Sequence, residues 1–293
     1  MPEFRAGQRG IIWMFGVSMM EQMEKTFHIR ELEISITSRC TLACAHCGFL
    51  VPEQPAPSIG EPVAEIAETL ANLFKAGVRV QSLAVLGGEP TIDGRLLERA
   101  LVRFSAVGIA ERLEVVTNGL TPRGLTKTSL QHIDRLSISV YGLGDAILDR
   151  YRTWISLVAP HVELIFRMND EGWDPWSDER EVSAAQAQAM FDDCWYRRHC
   201  ATVERGRLFV CSRIAKLSRD DEGLAITAGT TLEDVRAYMN RILFLPACAT
   251  CTPMMGLELV PAGVQPDDRI PRLEARAIDW LEAEIRCAEA RIV

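Results

Sequence analysis

Three closely spaced cysteines are the first residues of this chain that could carry out chemistry. Cys40, Cys44 and Cys47 follow the pattern C-x3-C-x2-C, so one tight loop offers three thiolates. A 4Fe–4S cluster with three protein ligands keeps one iron free to bind and activate another molecule. A zinc knuckle, completed by His46 or by a distant cysteine, is the alternative that the spacing alone leaves open.

Five further cysteines lie together later in the chain. The pair Cys248-x2-Cys251 is typical of metal sites, because two intervening residues let both thiolates point at one metal. A structural zinc site is one interpretation of this group. The five are Cys194, Cys200, Cys211, Cys248 and Cys251.

The elements that must position the first group belong to an α/β pattern. From residue 29 to about residue 168, short β-rich runs alternate with helical patterns, which predicts a parallel sheet with crossover helices. Chemistry in such folds lies in the loops after the strands. The predicted strands are 32–36, 82–86, 113–116, 135–140 and 162–167, with a helix at 61–76. Their loops contain the three cysteines, Gly87-Gly88-Glu89-Pro90, Thr117-Asn118-Gly119 and Ser139-Val140-Tyr141-Gly142, all on one rim.

The second half of the chain follows a different pattern. Helices are predicted at 184–192, 231–243 and 271–293, and a hairpin at 202–211 turns near Arg205 and Gly206. Cys287 lies on the last helix and is expected to be an ordinary buried cysteine. The candidate core contacts of that helix are Leu273, Ala277, Trp280 and Ile285.

Charge and hydropathy limit the partners of the protein. The 293 residues carry a net charge of −8, which argues against general affinity for nucleic acid or an anionic membrane. The apolar run at 11–20 covers about half a membrane span and is not followed by a convincing cleavage site. We therefore expect a cytoplasmic protein whose cysteines serve metal binding or catalysis rather than disulfides.

The motifs together resemble those of the radical S-adenosylmethionine (radical SAM) superfamily. Its hallmark is C-x3-C-x2-C after the first strand of a partial (β/α) barrel, which residues 40–47 match, and its second landmark is the GGEP loop, present at 87–90. The resemblance covers roughly residues 30–168. It implies a 4Fe–4S cluster on Cys40, Cys44 and Cys47 that reduces and cleaves S-adenosylmethionine (SAM). The resulting 5′-deoxyadenosyl radical would remove hydrogen from an unactivated C–H bond.

The same resemblance implies which residues contact SAM. The GGEP loop would bind the methionyl amino group, with Glu89 as the acceptor and with Gly87 and Gly88 admitting the ligand close to the backbone. Arg150 and Arg152 compete as the arginine that binds the carboxylate. The other expected cofactor contacts are His46, beside the adenine, Phe49, Pro90, Asn118 and Ser139.

The later cysteines resemble the twitch and SPASM modules of the superfamily, which hold auxiliary clusters. The short region favours the twitch form, with one additional 4Fe–4S cluster. Five cysteines then serve four positions, so either Cys194 or Cys200 is surplus. The surplus cysteine is either a structural thiol or a hydrogen-atom donor that faces the substrate. The expected divisions are an extension at 1–28, the barrel at 29–193, the auxiliary domain at 194–258 and a C-terminal helix at 259–293.

The expected activity is oxidation of a carbinol carbon in a small polar metabolite such as a sugar, an aminocyclitol or a nucleoside. The layout is similar to that of the aminocyclitol dehydrogenase of antibiotic biosynthesis, and the roughly thirty residues before the first strand are too few for a leader-peptide-binding domain. Epimerisation, sulfur insertion and peptide modification are the alternatives within the family. The electron donor would be a flavodoxin or a ferredoxin. A non-catalytic metal-binding interaction module is the alternative from another class.

Overall fold

The computed structural model of the protein describes residues 25–52, 63–176, 180–217 and 220–291. The apolar run at 11–20, the first two residues of the helix predicted at 61–76 and positions 177–179 lie outside the described residues. Within the described ranges, no helix is both long and apolar enough to cross a membrane.

One sheet runs through the described part of the chain. Its strand order is β5-β4-β3-β2-β1-β6-β7-β8. Strands β1 to β6 run parallel to one another, and the short β7 and β8 continue the sheet in antiparallel fashion. This arrangement confirms the predicted α/β fold with an open, barrel-like parallel sheet. The strands are β1 (Phe27–Ser35), β2 (Val78–Leu86), β3 (Ala110–Thr117), β4 (Arg135–Val140), β5 (Glu163–Met168), β6 (Ala201–Glu204), β7 (Arg207–Phe209) and β8 (Leu224–Ala225).

Helices connect the parallel strands and cover the later part of the sheet. They are α1 (Val63–Lys75), α2 (Gly94–Val107), α3 (Lys127–Gln131), α4 (Asp145–Val158), α5 (Ala184–Asp193), α6 (Tyr196–His199), α7 (Ser212–Lys216), α8 (Leu232–Met239) and α9 (Arg269–Glu289). The predicted helix at 231–243 is too long. Gln188 of α5 binds the carbonyl of Ile242 and the amide of Phe244, so both backbone groups pair outside a helix.

Helix α9 packs against α4 through one apolar stripe. Ala277, Leu281 and Ile285 are buried at successive intervals of four residues, and the Trp280 ring meets the Trp154 ring edge-on at 5.3 Å. The prediction that Cys287 is buried is wrong. Its position lies two residues, or about 200° of helix rotation, beyond Ile285, so its side chain leaves the stripe and is exposed.

The two faces of the parallel sheet differ in polarity. Leu32, Ile34 and Ile36 are fully buried in the core shared with the helices. The alternate residues of β1 face the other side, where Glu33 is buried. On this polar face the carboxylate of Glu114 accepts hydrogen bonds from Ser137 at 2.6 Å and from Arg167 at 2.7 Å.

The sheet continues into the cysteine-rich region. Strand β6 pairs with β1 in parallel register, with Glu33 opposite Thr202. The hairpin predicted at 202–211 is confirmed as β6 and β7, which turn at Arg205 and Gly206. The expected boundary between residues 193 and 194 therefore divides two parts that share hydrogen-bonded strands, and the domain divisions stay a prediction.

Candidate active site with two cysteine-lined cavities

The three cysteines of the first group surround one cavity at the carboxyl end of the parallel strands. Cys40, Cys44 and Cys47 all line this cavity, whose volume is about 240 Å³. The loop that carries them is held from the other end of the chain. The amide of Gln265 donates to the Sγ of Cys44 at 3.0 Å and accepts from the backbone of Ala43 at 2.8 Å.

The two glycines after β2 bring the second loop against the cysteine loop. Gly88 N donates to Thr37 O, and Glu89 N donates to Arg39 O, both at 2.7 Å. A Cβ at Gly87 or Gly88 would lie 2.3 Å from the backbone oxygen of Thr37 or Arg39, respectively. Both glycines also line the cavity. The lack of a side chain at these two glycines thus allows the two loops to pack against each other, in addition to the close approach of a ligand.

The structure corrects the role expected of Glu89. Its side chain is fully buried, and its carboxylate accepts hydrogen bonds from Thr91 N, Thr91 Oγ1, Thr117 Oγ1 and Asn118 N at 2.6–2.9 Å. The carboxylate is therefore engaged by the protein and does not line the cavity as an acceptor for a ligand ammonium. Glu89 joins the loops after β2 and β3. Pro90 begins the short 3-10 helix that follows and is also buried away from the cavity.

Four other expected cofactor contacts lie at or beside the cavity. Phe49, Asn118 and Ser139 line it, and the Asn118 side chain also binds Thr41 Oγ1 at 3.0 Å. His46 lies between two cavity-lining stretches of the loop, in the left-handed backbone region, and its buried Nδ1 has no hydrogen-bond partner among the described residues. An unpaired buried ring nitrogen is a site that a ligand with a polar edge would satisfy.

Neither arginine expected to bind the carboxylate of SAM reaches the cavity. Arg150 binds Glu282 of α9 through two nitrogens at 2.9 and 3.0 Å. Arg152 is exposed, binds Asp149 one turn earlier and stacks over the Phe166 ring. Both expectations are wrong, because the two side chains leave α4 on faces that point toward α9 and toward solvent.

Sequence reasoning missed the aromatic wall of the cavity. Tyr141, Trp173 and Trp176 line it, and the Tyr141 and Trp173 rings pack edge-to-face at 5.1 Å. The two tryptophans lie in an irregular segment after β5, and Trp173 is held by backbone hydrogen bonds to Val260. The sequence signal for this wall is the pair of tryptophans at 173 and 176, and their spacing does not indicate which way the side chains point.

The later cysteines form a second cavity. Four of the five line it, namely Cys194, Cys211, Cys248 and Cys251, and Cys200 is absent from the lining. Trp176 lines both cavities, so one indole lies between them. Of the two cysteines between which the sequence left the choice, Cys194 lines this cavity and Cys200 does not.

Cys200 occupies a different position. It follows α6, where its backbone N–H donates to Tyr196 O at 2.8 Å. Burial raises the pKa of its thiol, and the next largest cause is the nearby negative charge of Glu33 on the polar face of the sheet. The Cys200 thiol thus lies near Glu33 of β1 and near Cys194 and Cys211, although it does not line the second cavity.

A buried arginine faces the second cavity. Arg213 is 6% exposed, and its guanidinium donates to Trp176 O at 2.8 Å and to Thr250 O at 3.3 Å. Its Nε has no partner among the described residues. The guanidinium also lies over the Trp176 ring, and it forms no ion pair with a carboxylate of the described residues. A cluster with four thiolate ligands would supply the negative charge that such a buried cation needs. The donor set and this cation together fit an iron–sulfur cluster.

Burial raises the pKa of thiols in both cavities, as three of them illustrate. It raises the pKa of Cys40 to about 12, of Cys44 to about 11 and of Cys251 to about 12. Such thiols become thiolates near neutral pH only when metal coordination replaces the proton. In the described ranges, no group of three or more His, Cys, Asp or Glu side chains is placed to hold a single metal ion. Three cysteines line the first cavity and four line the second, and each iron of a cluster takes a separate thiolate.

Several curated proteins that are similar to this chain are named GTP 3′,8-cyclase. The chain is 24% identical to a GTP 3′,8-cyclase of Parasynechococcus marenigrum over 184 residues, or 56% of this chain and 51% of the relative. It is 32% identical to the GTP 3′,8-cyclase of Moorella thermoacetica over 137 residues, covering 44% of this chain and 40% of the relative. The matched segment thus spans about half or less of these relatives.

Solved structures and a family model complete the comparison. BtrN in complex with AdoMet and 2-DOIA matches with a TM-score of 0.41 and 14% identity, covering 74% of this chain and 84% of BtrN. Streptococcus suis SuiB bound to its precursor peptide matches with a TM-score of 0.39 and 15% identity, covering 86% and 78%. The model of the radical SAM superfamily matches residues 34–178, from β1 through Trp176. With its C-x3-C-x2-C loop around a cavity at the end of the first strand, the segment 34–178 is a radical SAM domain.

Proposed function

We propose that this chain is a radical SAM oxidoreductase with two 4Fe–4S clusters that oxidises a carbinol carbon of a small polar metabolite. Cys40, Cys44 and Cys47 would hold the first cluster, and SAM would occupy the adjoining cavity. Cys194, Cys211, Cys248 and Cys251 would hold the second. The bound pair of first cluster and SAM would supply a 5′-deoxyadenosyl radical. The protein would act in the cytoplasm and take electrons from a flavodoxin or a ferredoxin.

The observation that carries the proposal is the second cavity. Four cysteines and the buried Arg213 line it, and Trp176 separates it from the first cavity. A second cluster beside the first cavity offers an acceptor for the electron that remains on a substrate carbon after hydrogen removal. Loss of that electron and of the hydroxyl proton converts the carbinol radical into a ketone.

The chain's own residues would position the ligands and keep water out. The loops after β1, β2 and β3 are joined through Glu89, so the cysteines and Asn118 move as one unit. The aromatic wall of Tyr141, Trp173 and Trp176 closes one side of the cavity. Burial also raises the pKa of the Tyr141 phenol, which stays protonated and can donate a hydrogen bond. Exclusion of stray hydrogen donors is a requirement of radical chemistry that such a wall meets.

The proposed substrate class rests on the order of the motifs along the chain, which is similar to that of the aminocyclitol dehydrogenase, rather than on the curated relatives. The relatives named GTP 3′,8-cyclase align with 39–56% of this chain. A nucleoside is one member of the proposed class, beside sugars and aminocyclitols. Asn118 and Ser139, which line the first cavity, offer amide and hydroxyl groups suited to a polyhydroxylated or amino-bearing substrate.

The experiment is iron analysis of anaerobically reconstituted protein. We expect about eight irons and eight sulfides in the wild type. Cys194→Ala should lose about four irons and keep SAM cleavage to 5′-deoxyadenosine, whereas the Cys40→Ala/Cys44→Ala/Cys47→Ala variant should lose that cleavage. Cys200→Ala is the matched control and should keep all eight. Stoichiometric zinc without iron, or equal iron loss from Cys194→Ala and Cys200→Ala, would contradict the proposal.

Epimerisation is the second candidate, and the position of Cys200 favours it. A thiol that does not line the second cavity could return a hydrogen atom to the substrate carbon, and the thiyl radical would then take an electron from the donor and a proton from water. Turnover in deuterated water would place deuterium at the inverted carbon, and Cys200→Ala would abolish that product. A ketone free of deuterium, formed equally by Cys200→Ala, supports oxidation instead.

A further inference from the structure

A row of arginines lies on the surface beside the first cysteine loop. Arg95, Arg99 and Arg103 of α2 recur every four residues, so they lie along one side of the helix over about 12 Å. Arg39 and Arg123 extend the row at the start of α2. All five are exposed, and these residues are called the arginine face below.

The arginine face has no carboxylate partner in the part of the chain that the structure describes. None of its five guanidinium groups forms an ion pair within 4.0 Å. The two nearest acids of α2 are engaged elsewhere, because Asp93 caps the helix at Leu96 N and Glu98 accepts from Thr126. Five unpaired cations in a chain of net charge −8 form a local positive surface that would attract an acidic partner.

The arginine face lies beside two of the loops that form the first cavity. Arg39 immediately precedes Cys40, and its carbonyl accepts the N–H of Glu89. Arg39, Arg95 and Arg123 line an open depression of about 500 Å³, together with Thr91, whose hydroxyl binds Glu89. A molecule seated here would therefore lie against the outer side of the loops that carry Cys40 and Glu89.

We infer that the arginine face is the docking surface for an acidic one-electron carrier protein that reduces the first cluster. The inference rests on the proposed function, since only a redox cluster needs such a carrier. The row continues past the depression through Arg99 and Arg103, so its extent suits an acidic protein surface better than a small anion. Charge complementarity of this kind raises association rates and weakens as salt screens it.

The test compares two double variants of the full-length holoenzyme. Arg95→Glu/Arg99→Glu reverses two charges of the arginine face, and Arg272→Glu/Arg276→Glu reverses two exposed arginines with the same spacing on α9. Binding of a purified acidic flavodoxin is measured by calorimetry at about 50 and about 300 mM salt. Iron content and circular dichroism establish that both variants are folded and loaded.

We expect the Arg95→Glu/Arg99→Glu variant to raise the Kd for flavodoxin about tenfold or more at low salt, while the α9 variant binds as the wild type does. Formation of 5′-deoxyadenosine driven by dithionite should be equal in all three proteins, and only flavodoxin-driven formation should fall in the first variant. Equal Kd values for both variants would overturn the inference. So would binding of inorganic pyrophosphate that is lost in Arg95→Glu/Arg99→Glu without any change in flavodoxin binding. Failure of dithionite to drive cleavage in any protein would instead refute the proposed function, because binding is measured independently.

Discussion

At the scale of single residues, Glu89 shows how a motif can be recognised correctly and its physical role misassigned. The carboxylate serves four internal donors, so its removal leaves buried N–H and hydroxyl groups without partners. We expect Glu89→Ala to lower the free energy of unfolding by about 3 kcal/mol or more and to weaken SAM binding. Glu98→Ala is the control, because Glu98 accepts one hydrogen bond, from Thr126. It should lower the free energy of unfolding by about 1 kcal/mol.

Chemical denaturation and equilibrium binding measure the two effects. A Glu89→Ala protein that binds SAM more weakly while its stability is unchanged would show that the carboxylate acts on the ligand directly. Loss of both quantities together supports the positioning role that the structure assigns.

Arg213 offers a prediction about the second cluster. A buried positive charge stabilises the reduced, more negative form of a cluster, and this raises its reduction potential. We expect Arg213→Gln to make the potential of the second cluster more negative by about 60 mV, the equivalent of a tenfold change for a one-electron couple. Arg213→Lys should shift it less, and the exposed Arg198→Gln should not shift it.

Redox titration followed by electron paramagnetic resonance reports both clusters separately. The first cluster should keep its potential in all three variants. An unchanged second potential in Arg213→Gln would show that the guanidinium does not face the cluster.

At the scale of elements, β1 places an acidic side chain on the polar face of the sheet. Burial, and then the neighbouring charge of Glu31, raises the pKa of Glu33 from 4.5 to about 7, although Lys216, Thr202 and Ser212 oppose the shift and the Cys200 thiol lies nearby. Between pH 4.5 and pH 7, Glu33 in the folded protein retains a proton that the same residue in the unfolded chain has released. Stability therefore falls as the pH rises from 4.5 to 7 and then levels off.

The Glu33→Gln variant cannot release this proton. We expect its stability relative to the wild type to increase by about 3 kcal/mol between pH 4.5 and pH 7.5. Urea unfolding across that range measures the difference, and the exposed Glu111→Gln is the control. A constant difference between Glu33→Gln and wild type over the range would show that Glu33 titrates alike in the folded and unfolded states.

The elements that the sequence predicts best are those with strong local patterns. Strands β1 to β5 and the hairpin at 202–211 were predictable, because apolar alternation and turn residues are local signals. The pairing of β6 with β1, the contact of Gln265 with Cys44 and the exclusion of Cys200 depend on residues far apart in the chain. Local spacing carries no information about such contacts. The position of Arg150 was missed for the same reason, because the helix that binds its side chain lies about 130 residues later.

At the scale of the whole molecule, the two cysteine-lined cavities belong to one continuous scaffold. Trp176 lines both, Arg213 of α7 binds the Trp176 carbonyl, and strand β6 joins the sheet at β1. Each contact ties the cysteine-rich region to the parallel sheet. Such a scaffold holds the two cavities at a fixed distance from each other. Two modules joined only by a flexible linker would not.

The final prediction tests whether this scaffold opens as one unit. Val203 is buried in β6 opposite Ile34 of β1, so truncation to alanine weakens the contact between the two regions. If the sheet opens cooperatively, Val203→Ala lowers the opening free energy of backbone amides in both β1 and β6 by a similar amount, about 2 kcal/mol. Hydrogen exchange of the holoenzyme, followed by mass spectrometry of peptides covering 27–35 and 201–204, measures both. The half-exposed Val102→Ala on α2 should change neither. Faster exchange in β6 alone would show that the cysteine-rich region opens independently, and the rigid link between the cavities would then have to come from Trp176 and Arg213 rather than from the sheet.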